Sequence, residues 1–244
     1  MEFFWENLLV ALLSLIYGYF FGSVPNGVLI GRIFFKKDPR DYGSHNSGGT
    51  NSGRVFGKKI GFLVIALDII KAVIAFWSAW AVFRFTPLRS IWPLWDDGVF
   101  YNWLVLLGVS LGHCFSCWIS FKGGKTVACF MGMVGGTSWI GFLLCWVSFL
   151  GIFFKKHIVS RASLFSGAIL TAYEWFLYLV CSLTGFDGGL LFWNFGAGGG
   201  LRYGSWSTGW EPAVMVSIVY AILAIRHRQN IQRLKDGTEA PVAW

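Results

Sequence analysis

GSHNSGGTNSGR, residues 43–54, is a polar, glycine-dense segment between two apolar runs, 8–35 and 60–83, each long enough to cross a bilayer. Gly48, Gly49 and Gly53 allow close approach of the backbone to a ligand. Ser44, Asn46, Thr50 and Asn51 are hydrogen-bond donors, and successive backbone N–H groups can form a concave anion site. Arg54 adds a planar fork suited to phosphate oxygens. The same residue types also make ordinary turns, so the segment by itself supports an anion cradle and a plain loop equally.

Composition identifies the solvent around it. With 55% hydrophobic and 13% charged residues, the chain is an integral membrane protein. At roughly 20 residues per crossing helix, six or seven spans nearly exhaust its 244 residues, so residues 1–244 form one polytopic domain. The N-terminal run follows Glu2 and Glu6 rather than basic residues and is expected to be retained as a span. Gly22, Ser23, Pro25, Asn26 and Gly27 should break it near its far end. Asp68 and Lys71, one turn apart in the next run, are expected to pair. Cys114, Cys117, Cys129, Cys145 and Cys181 lie in or beside apolar segments and read as packing residues.

Two further polar islands follow. HCFSCWISFKGGK spans 113–125 and RHRQNIQRLKDGTE spans 226–239. Placing both on the side of residues 32–59, with the basic stretch 155–161, gathers every Lys and Arg except Lys71, Arg84, Arg89 and Arg202. The positive-inside rule makes that side cytoplasmic, with the N-terminus outside and the C-terminus inside. The segment 126–154 must then leave and return to one face, yet its 29 residues give only about 43 Å of helix. It is either a pair of short helices broken at Gly135 and Gly136, or one long span with inverted topology beyond it. The loop 185–210, rich in Gly, Trp and Phe, reads as an interfacial hairpin, and Glu174 has no evident role.

The islands share one face and bring together the amides around Gly48, Gly49, Gly123 and Gly124, the cations Arg54, Lys122, Lys125, Arg226 and Arg228, and the neutral donors Ser44, Asn46, Asn51 and Asn230. Wet on one side and bordered by lipid on the other, such a site suits a substrate with a charged head and an acyl tail. Nucleic acid is a poor alternative, since topology explains the +8 charge. GGKT at 123–126 lacks the leading glycine of a nucleotide-binding loop, where Ile119 stands. His113, Cys114 and Cys117 lack a second ligand pair at zinc spacing, so no metal and no cofactor are expected. No GxSxG elbow is present. A transporter or binding protein for an organic phosphate is the competing class. Against it, the polar groups lie at one face rather than the midplane, and no inverted repeat is evident.

Residues 22–61, GSVPNGVLIGRIFFKKDPRDYGSHNSGGTNSGRVFGKKIG, resemble the first signature of the bacterial membrane acyl-phosphate:glycerol-3-phosphate acyltransferases, with its S-x-N-x-G-x-T-N core at Ser44 to Asn51. Residues 112–128 resemble the second signature, GHxFPxxxxFKGGKGVA, and residues 226–239 the third. Ser163 to Ser166 matches a shorter S-L-x-S element, and Leu67 to Lys71 an LDxxK helix. The resemblance implies seven transmembrane helices, two of them short and formed from 126–154. It also implies a cytoplasmic-face active site in the cell membrane, and acyl transfer from acyl phosphate to the sn-1 hydroxyl of glycerol 3-phosphate, giving lysophosphatidic acid for phospholipid synthesis. Its partners would be those substrates, the lipid bilayer and an enzyme that supplies acyl phosphate.

An acyl phosphate is already activated, so the protein must position a hydroxyl and stabilise the developing charge. Lys125 and the Gly123 and Gly124 amides are expected to hold the acyl phosphate, and Arg54, Ser44 and Asn51 the glycerol phosphate. His227 and Asn230 would orient the head group or hydroxyl, with a substrate phosphate oxygen taking the proton. Asn46, Gly48, Thr50, His113, Lys122, Ser163, Ser166 and Glu239 complete the expected binding set. Three positions depart from the signatures: His45 and Thr126 stand where glycine is usual, and Ser116 where proline is. A side chain at 126 would narrow the loop or oppose a positive φ.

Overall fold

The computed structural model describes residues 2–86, 99–185 and 210–242, and all of its regular elements are helical. In chain order they are α1 (Glu2–Ser23), α2 (Asn26–Phe34), α3 (Gly49–Phe56), α4 (Lys58–Phe85), α5 (Val99–Cys114), α6 (Val127–Thr137), α7 (Trp139–Lys156), α8 (Val159–Thr184), α9 (Trp210–Arg226) and α10 (Arg228–Lys235). Single 3₁₀ turns lie just before the first polar segment, at Pro39–Asp41, and within the second, at Cys117–Ile119. Among the described residues, five stretches are long and apolar enough to cross a membrane: Trp5–Phe34, Lys58–Phe83, Phe100–Ile119, Trp139–Lys156 and Val159–Thr184. The expected hairpin at 185–210 falls mostly outside the described residues.

The first apolar run breaks where the Gly/Pro cluster predicts: α1 ends at Ser23 and Pro25 caps α2. The second break differs from expectation. Residues 127–156 form two helices, but the interruption is at Ser138, whose hydroxyl accepts the Gly141 amide 3.0 Å away and starts α7. Gly135 lies inside α6 because it lets Phe142 pack there: a β-carbon at 135 would sit 2.5 Å from the Phe142 ring. Only α6, with 11 residues, is short; α7 has 18.

In lipid there is no hydrophobic drive between helices, so small residues that admit close backbone contact decide which helices pair. Gly18 and Gly22 on α1 meet Val105 and Val109 of α5, while Gly108 and Gly112 on α5 meet Leu15 and Tyr19 of α1. A β-carbon at any of the four would overlap a carbonyl oxygen of the partner helix. The shared core holds Trp103, Leu106 and Val109 of α5, Phe76 of α4, Met133 of α6, Leu170 of α8 and Val216, Val219 and Leu223 of α9. This bundle fixes the ends of α5 and α9, and the second and third polar segments attach to those ends.

Candidate functional site

The first polar segment is knotted around Asn51. Buried at 1% exposure, its amide group donates to the carbonyls of Pro39 (2.6 Å), Asn46 (2.9 Å) and Tyr42 (3.1 Å). Its oxygen accepts from the Ser44 amide (2.7 Å) and hydroxyl (3.1 Å). Asn51 is therefore consumed by the loop's own backbone, which corrects its expected role as a phosphate donor. Ser44 remains exposed on the knot, and Asn46 accepts from the Gly48 amide at 2.9 Å. The amides of Gly49 and Thr50, in the first turn of α3, carry no hydrogen bond among the described residues, and such a helix N-terminus suits an anion. Arg54, exposed on α3, has no ion pair among the described residues.

Arg40 links this segment to the second one. It pairs with Asp38 (2.8 Å) and donates to the Ile119 carbonyl (2.9 Å). Against the burial that would raise it, the hydrogen bonds from Arg40 and Arg32 hold the Asp38 carboxyl down at about 2. Ser116, where the signature has proline, keeps a proline-like φ of −62° and uses its hydroxyl to bond the Ser23 carbonyl at 2.5 Å.

The Gly123–Gly124 backbone is fully engaged. The Gly123 amide donates to Cys114 O (3.1 Å) and the Gly124 amide to His113 O (2.8 Å), while both carbonyls accept from Arg226 (3.1 and 3.2 Å). These amides close the end of α5 and are not available to a phosphate, a second correction. The glycines are required by contact: a β-carbon at 123 would overlap the His113 carbonyl, and one at 124 the His113 ring. His113 itself is buried beneath the loop, whereas Lys122 is exposed.

Lys125 leaves this loop toward α10. Its ammonium donates to Asn230 Oδ1 (2.5 Å); Asn230 Nδ2 donates to Glu239 Oε1 (2.6 Å); Glu239 also accepts from Ser160 (2.7 Å) and Arg233 (2.6 Å). Both Glu239 oxygens are thus taken up in holding Asn230 and Arg233, so Glu239 supports the site rather than binding an anion. Burial lowers the Lys125 ammonium to about 8, with Glu239 opposing and Arg233, Arg226 and Arg54 adding to the depression. Arg54 belongs to this electrostatic neighbourhood together with the third segment.

His227 caps α10 and is 3% exposed. Its Nδ1 lies 2.8 Å from the Leu223 carbonyl and therefore carries the proton, leaving the Nε2 lone pair open. Burial depresses its imidazolium to about 4, so the ring is neutral at physiological pH. Ser163 and Ser166 are buried on α8 and bond the carbonyls of Val159 (2.9 Å) and Ser163 (3.3 Å), so their hydroxyls serve the helix. Sequence reasoning missed the Arg40 tie and the Arg226 clamp. The D-x-R spacing at 38–40 was the available signal for the first.

A family model described as "Glycerol-3-phosphate acyltransferase" matches residues 12–237. The curated glycerol-3-phosphate acyltransferase of Staphylococcus haemolyticus is 34% identical over 239 residues, covering 97% of this chain and 100% of that protein. The Enterococcus faecalis protein of the same name is 31% identical, covering 94% and 91%. Crystal structures of PlsY (YgiH), an integral membrane glycerol 3-phosphate acyltransferase, match with TM-scores of 0.70 for the glycerol 3-phosphate form and 0.68 for the lysophosphatidic acid form. Each is 29% identical and covers 95% of this chain and 94% of that one. A family match over residues 12–237, with curated relatives above 30% identity covered almost end to end, makes this protein a member of the glycerol-3-phosphate acyltransferase family.

Proposed function

We propose that this protein transfers a fatty acyl group from acyl phosphate to the sn-1 hydroxyl of glycerol 3-phosphate, releasing inorganic phosphate and lysophosphatidic acid at the cytoplasmic face of the cell membrane. The observation that carries the reading is the Lys125–Asn230–Glu239 chain, which joins the second and third polar segments beside Arg54 of the first. A cation held rigidly by a neutral amide, with guanidinium groups nearby, is a site for an organic phosphate.

Lys125 and Arg54 take phosphate charge, and Ser44 with the Gly49 and Thr50 amides completes the anion site at the start of α3. The glycerol hydroxyl oxygen attacks the acyl carbon, the bond from that carbon to the phosphate oxygen breaks, and phosphate leaves. His227 orients the hydroxyl through its Nε2 lone pair. With an imidazolium held near 4 it is a weak base, which favours a substrate phosphate oxygen as the proton acceptor. In the membrane, α6 and α9 join the five long stretches to give seven spans, with the N-terminus outside and the C-terminus inside. An enzyme that makes acyl phosphate would be the functional partner.

The test offers palmitoyl phosphate, palmitoyl-CoA and palmitoyl carrier protein separately to purified protein with radiolabelled glycerol 3-phosphate. Labelled lysophosphatidic acid is expected from the acyl phosphate alone; product only from another donor, or from none, overturns the proposal.

A further inference from the structure

Inside the bundle, beneath the 123–125 turn, lies a buried polar network that the proposed reaction does not use directly. Lys71 on α4 is 8% exposed and has three N–H bonds to place. Three acceptors surround it: Asp68 Oδ1 at 2.8 Å, the Val24 carbonyl at 2.9 Å and His113 Nδ1 at 3.1 Å. Asp68 is 2% exposed and also accepts from Asn26 Nδ2 at 2.9 Å. The network thus ties together α4, the break between α1 and α2, and the last turn of α5.

An ammonium has no lone pair, so the third Lys71 hydrogen can be satisfied only if His113 Nδ1 is unprotonated. That fixes the ring as the Nε2–H tautomer. The Nε2 edge of the same ring lies directly under Gly124, where a β-carbon would overlap it. The His113 main chain also receives the Gly124 amide at 2.8 Å, and Arg226 holds the loop from its other side. His113 is therefore the floor on which the 123–125 turn rests, and Lys71 determines how that floor is turned.

We propose that Asp68 and Lys71 are positioning residues: they lock the tautomer and ring orientation of His113, and through it the placement of the loop that delivers Lys125. This rests on the role given to Lys125 above. A one-ångström displacement of that loop is of the size that costs about 100-fold in rate.

Removing one charge alone would strand the other in the bundle, so the decisive variant is the neutral double substitution Asp68→Asn/Lys71→Met, which keeps an acceptor for Asn26. Three measurements on detergent-purified protein apply to it. In ¹⁵N-histidine-labelled protein, with the His113 signals assigned by their loss in His113→Phe, the wild type should show a single Nε2–H tautomer and the double variant a mixture. Hydrogen exchange of the peptide containing Gly123 and Gly124 should accelerate at least tenfold. Turnover should fall about 100-fold, with the KM for glycerol 3-phosphate changing far less than kcat. A pure Nε2–H tautomer in the double variant, or unchanged loop exchange, overturns the proposal. Because those two readouts need no substrate, they separate its failure from failure of the acyl-transfer reading.

Discussion

Thr126→Gly is expected to stabilise the protein although it removes a fully buried side chain. Thr126 caps α6 with φ +59° and ψ 6°, the left-handed region that a β-branched residue avoids. Relief of that conformation is worth about 1–2 kcal/mol. Its hydroxyl is buried without a hydrogen-bond partner, and deleting such a group recovers about 1–3 kcal/mol. Against this, glycine loses about 0.5–1 kcal/mol of extra backbone entropy on folding, and the buried β-carbon and methyl forfeit about 0.8 kcal/mol each. The balance is a net stabilisation of about 1 kcal/mol, or roughly 2–4 °C in melting temperature for a chain of this size. Thr126→Ala removes the hydroxyl, keeps the left-handed cost and retains the β-carbon, so it should also exceed wild type, by about the same amount. The assay is the temperature at which half the detergent-solubilised protein loses its monodisperse elution peak, at one fixed heating rate. Both variants melting above wild type supports the reasoning; a Gly variant less stable than wild type refutes it.

The pH dependence of kcat/KM for acyl phosphate should follow the Lys125 ammonium: flat below its pKa of about 8 and falling as pH rises through it, because the binding form is the protonated one. In Lys125→Arg, whose guanidinium does not titrate there, that alkaline limb should vanish from whatever activity remains; a limb of unchanged position would exclude Lys125 as its source. Asn51→Ala and Asn51→Asp should both destabilise by about 3 kcal/mol, since each leaves the carbonyls around position 51 without a donor, and a melting temperature within 1 °C of wild type in either would contradict the knot. Gly18→Leu should prevent recovery of monodisperse protein by wedging α1 from α5, whereas Gly151→Ala, which meets nothing within 4 Å, should be neutral or stabilising by about 0.5–1 kcal/mol; equal yields of the two variants would reject the close-contact account.

Most of the helical order was legible from length and hydropathy, because lipid forces each apolar run to satisfy its own backbone. The Asp68–Lys71 pair was readable from spacing, since residues three apart share a helix face, and the structure gives their ion pair at 2.8 Å. The break after α6 was misplaced because glycine was read as a helix breaker. In the bundle, Gly135 is a contact residue, and the break is made by a serine cap. The pairing of α1 with α5 was also written in the sequence, as glycines four apart at 18 and 22 and at 108 and 112. Matching those two faces requires knowing which helices are neighbours.

The same confusion of glycine's two uses explains the misreading at the site. A glycine-rich loop beside a lysine suggests amides free to bind phosphate, yet whether an amide is free depends on where the preceding helix ends. At the end of α5 the last carbonyls are themselves unsatisfied, and the Gly123 and Gly124 amides return to them. At the start of α3 the opposite holds, because the first amides of a helix have no partner behind them. Two glycine pairs of similar appearance, 48–49 and 123–124, thus do different chemistry because one opens a helix and the other closes one. An anion should therefore engage backbone amides at Gly49 and Thr50 and meet only side chains at the second segment. Amide chemical-shift perturbation by glycerol 3-phosphate should be large at 49 and 50 and small at 123 and 124, and the reverse pattern would restore the cradle to the second loop.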